Sequence, residues 1–342
     1  MKKIILFLAL VFVGSTVFAS NDPDPDIDNV GVLVLAHGGD SLWNATIENA
    51  VAPLKDDYAV QVAFGMANPT SMQKGIDQLE GQGVQNIVVI QLFVSSYSMI
   101  IRQNEYLLGF RDTLADPPML MMHGHGSGHG HGNGGHHGMK EKPQSAHHDM
   151  KKEGHGDHMM MGGNKDIDLP QLNIKAHVLL AKPLNDDPHV VNILIDRIKE
   201  LSKRPEKETV ILVAHGPNDK MDNMMWMNTL HNISTQVQSA FGVDEFKKVT
   251  YLTLRDDASD HIYNAAKQHF RDVVKKANLD KGRALIVPVL MSNGGIEDRL
   301  EKRLHGLDYV WTSHTLLPDE RIADFIESSV KEALEHREEA LD

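Results

Sequence analysis

GVLVLAHGG, Gly31 to Gly39, is an apolar run that stops at Ala36-His37-Gly38, and the chain carries such a run twice. The second copy, TVILVAHGPND from Thr209 to Asp219, ends the same way at Ala214-His215-Gly216. A short β-rich run closed by glycine reads as a central strand of a parallel sheet ending in a turn. The residue at that point falls on the carboxyl edge of the sheet, where open α/β folds place their ligands. Two histidines are therefore expected at two equivalent sheet edges.

Working outward from the first copy, Leu42 to Leu54 has apolar residues at Trp43, Ile47, Val51 and Leu54, a helical period. Tyr58 to Phe64 alternates as a strand, and Thr70 to Leu79 is helical, closed by Gly81 and Gly83. Asn86 to Val94 is the next strand, and Ser98 to Leu108 a helix ended by Gly109. Regular structure resumes with strands at Asn173 to Leu180 and Thr209 to Ala214, around a helix at Val190 to Leu201. A helix at Met221 to Phe241 follows, with Met224, Met227, Leu230, Ile233 and Val237 expected inward. Strands at Val249 to Leu254, Leu285 to Met291 and Tyr309 to Leu316 then alternate with helices at Ala258 to Ala277 and Ile296 to Leu304, and a last helix runs through Glu335. This alternation predicts an α/β fold of two similar parallel-sheet halves, 30–203 and 207–342, with a cleft between them.

The repeat can be followed by offsets. His37 and His215 are 178 apart, and Phe93-Val94-Ser95 matches Leu290-Met291-Ser292 at 197. Lys175 to Leu179 is aligned with Thr312 to Leu316 at 137, so the first half carries about 60 extra residues. That surplus is a polar tract at 112–169, expected to be a disordered insert because it is too poor in apolar residues to offset its ordering entropy.

A formal charge of −13 and the lack of any basic stripe exclude nucleic acid as a natural partner. No glycine-rich nucleotide fingerprint lies at a strand end, so no nucleotide is expected. The chain has no cysteine, so a metal must be held by His, carboxylate, Met or backbone oxygen. Residues 1–19 read as a secretory signal: Lys2 and Lys3, the apolar run Ile4 to Val13, then Val17-Phe18-Ala19. Residues 20–29 follow as a polar leader, and the expected location is the periplasm, free of the membrane once the signal is cleaved.

Ten of the 20 histidines lie between His123 and His158, among them His123, His125, His129, His131, His136 and His137. Imidazoles in an unfolded tract suit capture of divalent ions, with little selectivity among them. His37 and His215 are the candidates for a defined site, since neutral imidazole suits cobalt, nickel, iron and zinc and also serves as a base near neutral pH.

Five segments together resemble the CbiX-type sirohydrochlorin cobaltochelatases, of the class II tetrapyrrole chelatases. They are the two Ala-His-Gly strand ends, LFVSSYSMIIRQNEYLLG (Leu92 to Gly109), AKPLNDDPHVV (Ala181 to Val191) and VPVLMSNGGIEDRLEKRLHGL (Val287 to Leu307). The resemblance implies a lyase-type activity, the insertion of a divalent ion (cobalt, or else nickel or iron) into a sirohydrochlorin-like tetrapyrrole held between the halves. It assigns metal binding or proton acceptance to His37 and His215, and suggests Tyr97, Arg102, Arg255 and Arg299 as contacts for the ring and its carboxylates. The family's second histidine and acidic residue are replaced here by Tyr97 and Met99, and in the second half by Gly294 and Ile296. The alternative expectation is an exported, non-catalytic metal buffer or delivery protein on the same fold.

Overall fold

The structure, a computed structural model, describes residues 29–114, 169–242, 244–292 and 296–341. The signal, nearly all of the leader and all six named histidines of the 123–137 tract lie outside the described residues.

The first half runs β1 (Val30–Ala36), α1 (Ser41–Val51), β2 (Ala59–Phe64), α2 (Pro69–Gly81), β3 (Asn86–Gln91), α3 (Met99–Leu107), β4 (His177–Leu180) and α4 (Pro188–Leu201). The second runs β5 (Glu208–Ala214), α5 (Lys220–Phe241), β6 (Lys248–Thr253), α6 (Asp260–Ala277), β7 (Arg283–Pro288), α7 (Ile296–Leu304), β8 (Val310–Trp311) and α8 (Arg321–Leu341). Each half forms a four-stranded, wholly parallel sheet, ordered β2-β1-β3-β4 and β6-β5-β7-β8. The fold is therefore the α/β pair of parallel-sheet halves that the alternation of apolar runs predicts.

β1 and β5 are flanked by strands on both sides and covered on both faces, and all seven residues of each are buried. That is why both read as unbroken apolar runs rather than as alternating ones. The outer faces carry Leu33, Leu35, Ile87 and Val89 against α2, and Ile211, Val213 and Ile286 against α6 and α7. The inner faces merge into one core that draws on both halves.

The helices of this shared layer are exchanged. α8, the last helix of the chain, packs on β3 and β4 and beside α1 of the first half; α4 packs on β7 and α5 of the second. Ile322, Phe325, Ile326 and Val330 of α8 are buried in that core, each worth about 1.5–3 kcal/mol relative to exposure. The two sequence repeats thus do not coincide with two separable bodies. Polar contacts secure the crossing: Arg321 bonds Asp196 of α4 at 2.8 Å, and Arg337 donates to Asn86 of β3 at 2.8 Å.

Several expectations are corrected by the ladders. Val88 pairs with Leu179, and 197 residues on Leu285 pairs with Val310. β4 and β8 therefore correspond at an offset of 131 (310 − 179), not 137, and the first half's surplus between these landmarks is 66 residues (197 − 131). The strand expected over Tyr309 to Leu316 shrinks to Val310–Trp311, because Thr312 turns the chain by accepting the His314 amide on its hydroxyl at 3.0 Å. The chain rejoins the sheet edge only where Leu316 and Leu317 donate to the carbonyls of Leu290 and Met291. Likewise the Asn173 to Leu180 run pairs only from His177. Met224, expected inward, is 48% exposed, whereas Met227 is partly buried against the core as expected, beside Trp226, and the fully buried apolar positions of α5 begin at Leu230.

Candidate functional site

The carboxyl ends of β1 and β5 have the same local construction. Each strand ends in Ala-His-Gly, with Gly38 at φ +78° and Gly216 at φ +75°. A side chain at 216 would put its Cβ 2.5 Å from Thr253 Cβ, and one at 38 would sit 3.2 Å from Phe64 Cβ. Both turns therefore need glycine, for backbone and space alike. Asp40 and Asp219 then cap α1 and α5, each accepting the amide three residues on at 2.8 Å. Leu42 and Met221, each two residues beyond its cap, are 76% and 61% exposed.

Both imidazoles are set by the glycine that follows. His37 Nδ1 lies 2.8 Å from the Gly38 carbonyl and His215 Nδ1 lies 2.9 Å from that of Gly216. A carbonyl only accepts, so Nδ1 carries the proton in each, and Nε2 is the position left for chemistry. Here the two sites diverge. His37 is exposed, its ring edge-on to Trp43 with centroids 6.3 Å apart. His215 Nε2 stands 3.1 Å from Asp257 Oδ2. With Nδ1 committed to Gly216, a proton on Nε2 would make the ring an imidazolium paired with the Asp257 carboxylate. Burial alone would depress this ring, but the Asp257 hydrogen bond and charge, with help from Gly216 and Asp256, outweigh it and raise its pKa. Asp257 is held below the usual carboxylate range chiefly by the His215 hydrogen bond, against the opposing effect of burial, and further by the charges of His215, Arg299 and His37. His37 belongs to the other half, so one carboxylate senses both histidines.

Asp257 is presented by a tightly anchored loop after β6. Leu254 and Arg255 donate to the carbonyls of Ala214 and His215 at 2.9 and 2.8 Å, and Arg255 adopts φ +56°. Beneath it, Asp256 pairs with Arg303; both side chains are inaccessible, and Arg303 lies 4.2 Å over the Tyr263 ring. The matching stretch of the first half, Gly65-Met66-Ala67-Asn68, has no carboxylate.

The remaining candidates from the sequence are placed as follows. Arg102, on α3, makes a two-pronged pair with Asp222 of α5 at 2.8 Å on both arms, binding one half to the other. Tyr97 is 36% exposed on the loop before α3, and its carbonyl accepts Trp226 Nε1 from α5 at 2.6 Å, a second bridge between the halves. Arg299 is half exposed, 3.7 Å from Asp257 and 4.0 Å from Asp256. Arg255 donates to the Asn218 carbonyl at 2.7 Å. Among the described residues no group of three or more His, Asp or Glu side chains is gathered to hold a metal ion.

Asp257, its support Asp256–Arg303, and the bridging Asp222 and Trp226 were not singled out from the sequence. The run Arg255-Asp256-Asp257 at a strand's carboxyl end was a signal that could have revealed the first of these, since that edge is where such folds place ligands.

No family model matches the chain, and no curated protein sequence does. Solved structures do. The sirohydrochlorin chelatase SirB from Bacillus subtilis subspecies spizizenii, in complex with cobalt, superposes with a TM-score of 0.53 at 12% identity, covering 91% of this chain and 97% of that one. SirB from Bacillus subtilis with Fe3+ gives a TM-score of 0.55 at 14% identity, covering 89% and 95%. The chain has the two-lobed α/β fold of these chelatases over nearly the whole length of both.

Proposed function

We propose that this protein is a metal chelatase, placing a divalent ion (cobalt, or else nickel or iron) into a sirohydrochlorin-like tetrapyrrole bound between its lobes, after export to the periplasm. The observation that carries this reading is the pairing of two histidines at matched strand ends of a sirohydrochlorin chelatase fold, one of them with its Nε2 open. Metallation replaces two pyrrole N–H protons by one divalent ion, so the site must hold the ion and take up protons. His37 fits both tasks: its Nε2 lone pair can ligate the metal or accept a proton, and Nδ1 is already committed to Gly38. His215 in its charged form offers no lone pair. Its part in this reading is to hold Asp257 as an anion that draws a divalent cation toward His37. The His-rich segment from His123 to His158 collects metal for the cleft, a role that needs no fold.

Purified mature protein is mixed with sirohydrochlorin and Co²⁺ or Ni²⁺ and the visible spectrum followed. The expected result is acceleration over ring and metal alone, lowered about 100-fold or more in His37→Ala. A second reading is a metal buffer without turnover, favoured by the lack of any cluster of three or more His, Asp or Glu among the described residues and by Tyr97 and Met99 where the resembled family has His and an acid. Stoichiometric metal uptake that survives both His37→Ala and His215→Ala, but vanishes on removal of residues 123–158, would establish it instead.

A further inference from the structure

Three arginines stand near the carboxyl edges, and the structure separates them by their counter-charges. Arg102 has both guanidinium arms on Asp222, whose side chain is only 9% exposed. Detaching it would leave a carboxylate buried without its partner, so Arg102 is held as a strut between the halves. Arg299 lies within 4.0 Å of two carboxylates, Asp256 and Asp257. Arg255 differs from both. Among the described residues it makes no ion pair; its one side-chain hydrogen bond goes from Nη2 to the Asn218 carbonyl, and its buried Nε has no partner. Buried Asn218 Oδ1 beside it is likewise unpaired. The acid whose charge bears on it, Asp219, is occupied in capping α5.

The backbone supports the same conclusion. Arg255 sits at φ +56°, a conformation that costs an ordinary L-residue about 1–2 kcal/mol and that Gly or Asn would adopt more readily. An arginine kept there, half-buried and without a carboxylate, is a local arrangement that stability does not explain. Its anchors show where it acts. The Arg255 amide donates to the His215 carbonyl, and Nη2 to Asn218 in the loop that follows His215. A ligand group held by this guanidinium is therefore held in register with His215 and Asp257.

We propose that Arg255 is a specificity-determining residue that takes a carboxylate substituent of the ligand in the cleft and so orients the ligand over the two histidines. A planar guanidinium accepts a carboxylate side-on through paired N–H groups, which fixes direction as well as charge. The substrate class is thereby narrowed to a ring with acidic side chains, discriminated from its ester. This deepens the chelatase reading and rests on it for the identity of the ring, but not for the anion chemistry of Arg255.

The test compares full-length wild type with Arg255→Asn and Arg255→Lys. Binding of sirohydrochlorin and of its methyl-ester form is followed by the change in ring absorbance, and binding of tricarballylate by calorimetry. Expected are weaker binding of the acid in Arg255→Asn by about 10- to 100-fold, an intermediate loss in Arg255→Lys, and equal, weak binding of the ester by all three. The urea midpoint of Arg255→Asn should equal or exceed that of wild type, because Asn suits the positive φ. Equal binding of the acid ring by wild type and Arg255→Asn overturns the assignment and leaves the chelatase reading intact, as does a loss of binding that merely tracks a lowered urea midpoint. If wild type ignores the ring but binds tricarballylate through Arg255, the assignment stands and the chelatase reading falls. Binding of neither overturns both.

Discussion

His37 and His215 occupy the same address in two copies of one sheet, with the same glycine turn and the same Nδ1 bond, yet they are chemically unlike. In the second half, charge has been built in at two depths: Asp257 on the imidazole, and the buried Asp256–Arg303 pair beneath the loop that carries it. In the first half the neighbouring buried polar groups are neutral amides, with Asn104 donating to Gln91 at 3.0 Å and Gln103 to the Ala67 carbonyl at 3.2 Å. Duplication reproduced the strand ends, while electrostatics divided the labour. One histidine has no carboxylate on its Nε2, and the other faces Asp257 at 3.1 Å, which favours its charged form.

The strongest way to break this asymmetry is to remove its foundation. Arg303→Leu leaves Asp256 buried without its main counter-charge, and is expected to cost about 3–5 kcal/mol of stability by urea unfolding. Gln103→Leu, the neutral first-half comparison, should cost about 1–2 kcal/mol. If both cost the same, the halves are not built differently in depth. Next come the glycine turns. Gly216→Ala forces a Cβ against Thr253 at 2.5 Å as well as a positive φ, whereas Gly38→Ala meets Phe64 at 3.2 Å. Roughly 2–3 kcal/mol is expected for the former and about 1 kcal/mol for the latter.

The smallest effect, and the sharpest on chemistry, is that of Asp257→Asn. His215 has a raised pKa, so its contribution is complete below the unfolded value and lost as pH rises through the folded one. Asp257 has a lowered pKa, so its contribution is complete above the unfolded value and lost as pH falls through the folded one. The pair therefore stabilises most between roughly pH 4 and 6.5, by less than about 1 kcal/mol because the carboxylate is 58% exposed. In Asp257→Asn that window should flatten, and the His215 ring protons should titrate at lower pH by NMR. An unmoved His215 would mean that Asp257 does not set its charge.

Much of this was legible in the residues themselves. Apolar periodicity is local, so the central strands β1 and β5, the helices after them and the recurrence of His-Gly at both ends followed from short windows. The turns at both strand ends followed too, since a strand closed by glycine reads as ending in a turn, while the positive φ of Gly38 and Gly216 came from the structure. What misled the reading were places where a non-local partner decides. The Met224 position has the right period for a core stripe, but it is exposed, while Met227 one turn on packs against the core. The Tyr309 to Leu316 run has strand composition, but a Thr312 turn takes it out of the ladder and shifts the β4–β8 match by six residues.

By itself the sequence determined the α/β alternation, the duplication and the two candidate imidazoles, because each is a property of neighbours along the chain. Tertiary structure alone decided that α4 and α8 change places, that Arg102 pairs with Asp222 across the halves, and that Asp257, 42 residues beyond His215, reaches its Nε2. The physical reason is range. Hydrogen-bonded periodicity is written within a few residues, whereas the charge state of an imidazole is set by whichever carboxylate the folded chain brings within about 3 Å.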